Sequence, residues 1–420
     1  MTYEFRYLMQ LLGSASTGKP ANPPDRELDW SRVFELTQEQ MLDELIWYAL
    51  KTNAALKCSE DNFLSVVPDP LPAIITDSAA RSMIVSLLEK MESEGIHSVV
   101  VKGMSVADGY ASPEARISSD TDILIAPEDE AKAQRFLADN GFRVESRWDN
   151  GHHFSAHHPL MGLLEVHIQL YDDIAEDVWF ADVTAEELIC QQHKKICTSD
   201  GVYYTLGDTD HLIFIILHMI KHFILCGMSL RMMTDTAVFM SSKKASLDFG
   251  RMWSVMKKLR YDGFLSSVLW AMVEYCGFSA DDFPGIGAFE REKVELILSD
   301  VEKGGWLGKN DYSARKESWQ EYSRQLFVKR KSNISYHLYM LNWQNTLKLK
   351  TFFPPKERLV KDYPVLNRFP LLIPFIWLHR IIFKSIPRYI KAKEKIIFNE
   401  NSVSAESKER VNMFRTLGML

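Results

Sequence analysis

Three carboxylates in this 420-residue chain have the spacing of a metal site that acts on phosphates. Asp120 and Asp122 are two residues apart at the start of an apolar run, and Glu165 lies in a second apolar run. Side chains two apart in a β-strand share one face of the sheet, which Glu165 can join from a neighbouring strand. Such close carboxylates need cations, Mg²⁺ first and Mn²⁺ second. Two ions can activate an attacking oxygen and stabilise the leaving one, so these residues predict metal-dependent chemistry on a nucleoside triphosphate (NTP).

Basic and small residues lie just before the aspartates. Lys102 and Gly103 follow an apolar run and predict a turn at the end of a short strand. Lys102 offers a point charge and Arg116 a bidentate contact, so both suit a triphosphate. In the alternative interpretation, each of these two side chains forms an ordinary surface ion pair.

A second group of polar residues predicts a pocket for the acceptor. His167 lies two residues after the third carboxylate, and therefore on the same face of its strand. His218 and His222 are one turn apart on a predicted helix, and Arg231 and Asp235 are one turn apart on the next. We predict that these five residues line an acceptor pocket; the alternative is that they serve helix packing.

Two further clusters contain residue types that bind metals. Four of the seven residues in the run His152–His158 are histidines. Neighbours on a strand point to opposite sides, so this run is interpreted as an exposed strand or one at the edge of the site. The run Cys190–Cys197 offers only three ligands, fewer than a structural zinc site needs, and no zinc is predicted there.

Hydrophobic periodicity and turn residues predict which elements carry these groups. A helix over 76–94 ends at Gly95, and another over 127–140 has Pro127 in its first turn. Short strands are predicted over 98–101, 121–125, 142–145, 152–157 and 163–170. Helices dominate elsewhere, over 28–56, 209–226, 229–240, 247–260, 264–276 and much of 319–349. The last twenty residues are predicted to fray, apart from a helical pattern at 411–417.

These residues resemble the motifs of a known group of proteins, the uncharacterised bacterial nucleotidyltransferase family within the DNA polymerase β-like superfamily. Members show a Lys-Gly after a hydrophobic strand, an Arg before Asp-x-Asp, and a helix ending in Leu-x-x-x-Gly-Phe. A Glu-hydrophobic-His strand and a helix with spaced histidines follow. The matching residues here are Lys102-Gly103, Arg116, Asp120-Thr121-Asp122, Leu137–Phe142, Glu165-Val166-His167, His218 and His222.

The resemblance implies an α+β fold with a minimal nucleotidyltransferase core, a small mixed β-sheet flanked by helices. N-terminal helices and a mostly helical C-terminal region would accompany this core. The implied activity moves a nucleoside monophosphate from an NTP to an acceptor, with Asp120, Asp122 and Glu165 as the catalytic, Mg²⁺-binding residues. The predicted regions are an N-terminal helical region 1–75, the nucleotidyltransferase core 76–206, a helical domain 207–350 and a C-terminal apolar-basic segment and tail 351–420.

One departure from the superfamily pattern concerns the phosphates. The usual Gly-Ser or Gly-Gly pair is Gly103-Met104 here, and methionine is a poor partner for a phosphate. Backbone N–H groups of residues 103–105, the Ser105 hydroxyl or Lys102 would replace it, with Ser119 completing the nucleotide-binding set.

Two alternatives to this enzymatic function remain open. One is a non-catalytic nucleotide-binding or scaffold protein in envelope polysaccharide assembly, and the other is a toxin-type nucleotidyltransferase acting on tRNA or protein.

Composition indicates where the protein works and what it contacts. A net charge of −7 argues against long nucleic acid as a partner. Five scattered cysteines and the lack of a signal-peptide pattern predict a cytoplasmic protein. The segment 369–395 begins with an apolar stretch too short to span a bilayer and continues with six basic residues and one acidic residue. It predicts peripheral contact with the inner membrane surface; the alternative is a core helix with a solvated basic face.

Overall fold

A seven-stranded mixed sheet lies at the centre of the computed structural model. Its strands are β1 (Ser98–Val100), β2 (Asp120–Ile125), β3 (Arg143–Glu145), β4 (His153–His158), β5 (Gly162–His167), β6 (His193–Thr198) and β7 (Gly201–Leu206). Their spatial order is β3-β4-β5-β2-β1-β7-β6. The structure describes residues 1–53, 60–145, 152–172, 175–183, 193–305, 312–330, 359, 363–367, 369, 372–380 and 404–420.

The sheet contains both parallel and antiparallel strand pairs. Strand β1 is antiparallel to β2 and parallel to β7, while β2 is parallel to β5. The hairpins β3–β4, β4–β5 and β6–β7 are antiparallel. Together with the helices on either side, this mixed sheet confirms the predicted α+β fold.

Helices precede the sheet, flank it and follow it. Within the described residues, the helices up to Asp139 are α1 (Tyr3–Thr17), α2 (Trp30–Glu39), α3 (Asp43–Thr52), α4 (Glu60–Leu64), α5 (Leu71–Ser93), α6 (Met104–Ala107) and α7 (Glu130–Asp139). Those after the sheet are α8 (Asp208–Leu225), α9 (Leu230–Ser242), α10 (Phe249–Leu259), α11 (Asp262–Cys276), α12 (Arg291–Gly304), α13 (Tyr312–Arg330), α14 (Ile373–Arg380) and α15 (Ala405–Thr416). Residues 331–349 of the predicted helix over 319–349 lie outside the described residues.

The sheet separates two hydrophobic cores. Side chains alternate along β1, so that Val100 belongs to the smaller core and Val99 to the larger one. The smaller core packs α5 and α7 on the sheet through residues such as Leu88 and Leu137. The larger core joins α1 to the helices after the sheet. Strand β2 is therefore held between two packed layers, which gives its polar side chains a fixed frame.

Several sequence predictions need correction. The helix predicted over 28–56 is two helices, α2 and α3, because Met41 takes a left-handed conformation between them, with φ 52°. The region 1–75 is predicted to be helical, but without separate bounds for α1, and the β6–β7 hairpin is not among the predicted strands. The helical pattern predicted at 411–417 is part of α15, but α15 begins at Ala405, in residues predicted to fray. Its buried Arg410 donates to Asp300 Oδ1 and to the Ile224 carbonyl, each at 3.2 Å, and this anchors the helix to the larger core.

In the described part of the chain, α5 is the one helix long and apolar enough to cross a membrane. Length and composition alone are weak evidence, because the core helix of a globular protein passes the same test. Ile84, Leu87, Leu88 and Met91 of α5 are buried in the smaller core against the sheet.

Candidate active site

The three carboxylates meet because two neighbouring strands run in the same direction. In the β2–β5 pair, Asp122 lies directly opposite Glu165, and Leu124 lies opposite His167. Asp120 is two residues before Asp122 and shares its face. One ligand atom each of Asp122, Glu165 and His167 lies within 4.8 Å of the others. The structure thus brings together the residues that the sequence places in two separate apolar runs.

Asp122 is the buried centre of the group. Its Oδ1 accepts a hydrogen bond from His167 Nε2 at 3.1 Å, and its Oδ2 lies 3.0 Å from Lys102 Nζ. Burial disfavours the charged carboxylate, but Lys102 and His167 hold the pKa of Asp122 well below its usual range. Burial likewise disfavours the Lys102 ammonium, while Asp122 and Asp120 raise its pKa above the usual range. Both groups are therefore charged at neutral pH.

The other two carboxylates are more exposed than Asp122. Asp120 Oδ1 accepts from the hydroxyls of Ser118 and Ser119 at 3.5 and 3.3 Å, and Asp120 Oδ2 lies 3.5 Å from the same lysine Nζ. Glu165 is half-buried, and burial followed by the charge of Asp122 raises its pKa. Two oxygen ligands open to the cavity thus flank one buried aspartate.

Gly103 makes the turn that places Lys102 beside the aspartates. Its backbone is in the left-handed half of conformational space, with φ 77°. A Cβ added there would lie 3.2 Å from the Asp120 carbonyl oxygen and 3.3 Å from Ser118 Oγ. Ser105, just after the turn, has its Oγ 3.2 Å from His211 Nε2. Only glycine fits this position without moving the strand that carries the aspartates.

Replacing Gly103 with alanine is expected to lower the free energy of unfolding by about 1–3 kcal/mol, because the side chain adds left-handed strain and crowds Asp120. Gly162→Ala is the matched control: Gly162 has φ 75°, but a Cβ there meets nothing within 4 Å. Urea unfolding of both variants separates the cost of left-handed backbone strain, which both share, from the cost of crowding, which only Gly103→Ala has. Equal losses would show that crowding against β2 contributes nothing.

His218 and His222 lie beside Lys102 rather than apart from it. Lys102 Nζ is 3.5 Å from His218 Nε2, which is 3.2 Å from His222 Nε2. An ammonium can only donate, so His218 Nε2 is an acceptor in this chain of contacts. Burial lowers the pKa of His222 to about 3 and holds that of His218 well below its usual range. Two neutral rings thus help to fix the position of the lysine.

Arg116 and Asp235 form a buried pair in the cavity wall. Arg116 Nε and Nη2 donate to Asp235 Oδ1 and Oδ2 at 2.9 and 2.6 Å, and the Tyr110 hydroxyl donates to Oδ1 at 2.6 Å. Burial opposes ionisation, but Arg116 and Tyr110 lower the pKa of Asp235. Arg231 lies one turn before Asp235 on α9, and burial lowers its pKa. The predicted nucleotide ligand Arg116 and the predicted acceptor residue Asp235 therefore bind each other.

The three carboxylates, Lys102 and the Arg116–Asp235 pair line one cavity of about 420 Å³. Every residue predicted for the site lines it except Gly103 and Ser105, which form the turn behind Lys102. His152, His153 and Lys221 line it as well, although the sequence interpretation leaves them out of the site. The sequence contains features that could have pointed to these three residues. Lys221 is one turn after His218 on α8, and His152 and His153 are the first two residues of the histidine run 152–158.

The donor set fits a divalent cation. Asp122 Oδ2 is buried and forms an ion pair with Lys102 Nζ at 3.0 Å. Carboxylate oxygens from Asp120 and Glu165 border the same cavity. Hard oxygen donors of this kind suit Mg²⁺ or Mn²⁺.

A mixed sheet whose parallel strands carry clustered carboxylates beside a lysine is the arrangement expected of a nucleotidyltransferase. A family model described as uncharacterised nucleotidyltransferase matches residues 26–277, and the chain belongs to that family, which makes it an enzyme of the nucleotidyltransferase class. The family resemblance seen in the sequence is thereby confirmed.

One similar solved structure is that of the antibiotic-resistance factor ANT(2'')-Ia, with 15% sequence identity and a TM-score of 0.31, covering 44% of this chain and 92% of the other. No curated protein matches the chain.

Proposed function

We propose that this chain is a Mg²⁺-dependent nucleotidyltransferase that moves a nucleoside monophosphate from an NTP to an acceptor in the same cavity. The observation that carries the proposal is the pairing of Asp122 with Glu165 on parallel strands, with Asp120 on the same face and Lys102 between the aspartates. This places three carboxylates and a cation around one cavity, as phosphate chemistry requires.

The polar residues of the cavity have different roles in the proposed reaction. Asp120, Asp122 and Glu165 would hold Mg²⁺, which when bound supplies charge stabilisation for the phosphate oxygens. The acceptor oxygen bonds to the α-phosphorus, the bond between the α- and β-phosphates breaks, and pyrophosphate leaves. Glu165, which borders the cavity from β5, is the carboxylate proposed to take the acceptor's proton. Lys102 keeps Asp122 ionised and offers a point charge to a phosphate.

The cavity favours a small acceptor over a long polymer. Its volume of about 420 Å³ is within the range of small-molecule sites. The net charge of −7 disfavours a long nucleic acid. The imidazoles of His167, His218 and His222 and the Arg231 guanidinium are the groups proposed to face the acceptor.

Nucleotide binding is the direct test of the donor site. Calorimetry with each of the four NTPs is expected to show binding that requires Mg²⁺. Lys102→Met should weaken that binding about 10- to 100-fold, because a charge-assisted contact with phosphate is lost. Lys90→Met, at an exposed position on α5, is the matched control and should bind as the wild type does.

The outcomes separate the candidate functions. Binding that is unchanged in Lys102→Met, or independent of Mg²⁺, contradicts the proposed site. Binding without pyrophosphate release from any NTP is the result that the scaffold alternative predicts. Growth arrest on expression, relieved by Asp120→Ala, would indicate the toxin-type alternative.

We also propose that the C-terminal segment gives peripheral contact with an anionic membrane, which would place a cytoplasmic protein at the inner membrane surface. In the described part of 369–395, Phe369, Leu372 and Phe375 are exposed, and Phe375 is 70% exposed. Residues 381–395, with most of the basic side chains, lie outside the described residues.

Vesicle co-sedimentation tests the membrane contact. The protein is expected to bind phosphatidylglycerol vesicles and not phosphatidylcholine vesicles, and Phe375→Ser should weaken binding about 10-fold by removing one inserted ring. Leu160→Ser, at a position 63% exposed in the β4–β5 turn, is the control. Equal loss in both variants, or no binding by the wild type, would overturn the proposal.

A further inference from the structure

Three histidine rings converge on the cavity beside the carboxylates. One ring nitrogen each of His152, His153 and His167 lies within 4.8 Å of the others. The ring centroids are 4.7, 5.1 and 5.2 Å apart, and His152 Nε2 is 3.4 Å from His153 Nδ1. The transfer proposed above uses neither His152 nor His153, so their placement needs another explanation.

The backbone fixes all three rings. His153 on β4 lies directly opposite His167 on β5 in an antiparallel pair. His152 comes one residue before β4, and its carbonyl accepts the Ile168 N–H at 2.9 Å. The histidines are therefore attached to two adjacent strands rather than to a loose loop, so the group is preorganised.

The contacts of His152 show that its Nε2 carries a lone pair. Lys221 Nζ lies 3.5 Å from this nitrogen, and an ammonium can only donate. The same Lys221 Nζ is 2.9 Å from Asp172 Oδ2, so the lysine keeps a partner if a metal ion takes its place at the imidazole. Neutral imidazole nitrogen is the form of histidine that binds metals.

The contacts of His167 leave one of its nitrogens for a ligand. Its Nε2 donates to Asp122 Oδ1 at 3.1 Å. Its Nδ1 is buried and has no hydrogen-bond partner within the described ranges. A histidine that donates one ring N–H to a carboxylate and leaves the other nitrogen unbonded is the usual arrangement at metal sites, where the carboxylate orients the ring.

We propose that His152, His153 and His167 bind one transition-metal ion, Zn²⁺ by preference, at a site that adjoins the carboxylate site for Mg²⁺. Glu165 lies 3.9 Å from both His153 Nε2 and His167 Nε2. Zinc–nitrogen bonds of about 2.0–2.1 Å in a tetrahedron place the nitrogens about 3.3–3.4 Å apart. The 3.4 Å between His152 Nε2 and His153 Nδ1 matches that spacing. Imidazole ligands favour Zn²⁺ and related ions over Mg²⁺. Three protein ligands leave a fourth position for water or an acceptor oxygen.

Cobalt binding tests the site without any need for nucleotide or activity. The full chain, metal-free and without a histidine tag, is titrated with Co²⁺ in excess Mg²⁺. One equivalent is expected to bind and to give the visible absorption of Co²⁺ in a four- or five-coordinate site, and Zn²⁺ should displace it. His152→Gln and His153→Gln should each weaken Co²⁺ binding about 100-fold or more.

His157→Gln is the matched control, because His157 is on the same strand and the same face as His153 but opposite Leu163. It should bind Co²⁺ as the wild type does, and so should Asp120→Asn. Equal loss in His157→Gln, wild-type binding by His152→Gln, or loss in Asp120→Asn would each overturn the proposal. A strong near-ultraviolet sulfur-to-metal band would place the ion at a cysteine and also overturn it. Circular dichroism checks that each variant is folded.

Discussion

Asp120→Asn is expected to lower kcat/KM for nucleotidyl transfer by about 10³-fold, which is about 4 kcal/mol of transition-state stabilisation. Asparagine keeps the shape of the side chain and its contacts with the Ser118 and Ser119 hydroxyls, but it removes the negative charge that would hold Mg²⁺. Asp120 is the better target of the two aspartates. Asp122 is buried between Lys102 and His167, so its replacement would also leave charged and polar partners unsatisfied.

The measurement is pyrophosphate release with the NTP that binds best, at saturating and at limiting Mg²⁺. Asp139→Asn, an exposed aspartate at the end of α7, controls for the loss of one negative charge and should keep wild-type rates. If excess Mg²⁺ restores the Asp120→Asn rate, the residue only raises metal affinity. A wild-type rate at every Mg²⁺ concentration would remove Asp120 from the proposed site.

The sequence predicts the strands of the candidate site well because their signals are local. Apolar runs and a glycine turn locate β1 and β2, and the alternation within a strand puts Asp120 and Asp122 on one face. The family motif then points to Glu165 and His167. These signals suffice for the carboxylate group because one strand pair, β2–β5, is enough to assemble it.

Other features depend on tertiary contacts that no local pattern contains. The histidine run alternates along β4, which predicts an exposed strand or one at the edge of the site. In the structure, His153 is paired with His167 on the next strand, and His153 lines the cavity. The C-terminal helix α15 is polar by composition. It is held by the buried Arg410 contacts with Asp300 and a main-chain carbonyl, which lie 110 and 186 residues away in sequence. Pairings at such separations are set by the whole fold.

Arg116 shows how a tertiary contact changes the interpretation of a residue. Its type and position before the aspartates suggest a ligand for phosphate, and Asp235 suggests an acceptor contact. In the structure, two guanidinium nitrogens of Arg116 donate to the two carboxylate oxygens of Asp235, and a third donates to the Ile117 carbonyl at 2.9 Å. This buried pair joins the loop before β2 to α9, so a structural role competes with the predicted chemical one.

Asp235→Ala is therefore expected to lower the free energy of unfolding by about 3–5 kcal/mol, because it leaves the buried Arg116 guanidinium without its counter-charge. The Tyr110 hydroxyl loses its acceptor in the same variant. The double variant Arg116→Met/Asp235→Leu should recover most of this loss, since apolar side chains of similar size avoid the cost of burying an unpaired charge. Urea unfolding of the wild type, the single variant and the double variant measures both values.

The double variant also decides between the two roles of Arg116. If the guanidinium serves only to hold α9 against the loop before β2, a stable double variant should bind the Mg²⁺–NTP complex with the wild-type Kd. If Arg116 leaves Asp235 to contact the triphosphate, the same stable protein should bind the nucleotide about 10- to 100-fold more weakly. A double variant as unstable as Asp235→Ala would show that packing, and not the unpaired charge, causes the loss. Stability and affinity are measured on one protein, so a failure to fold cannot be mistaken for a lost contact with phosphate.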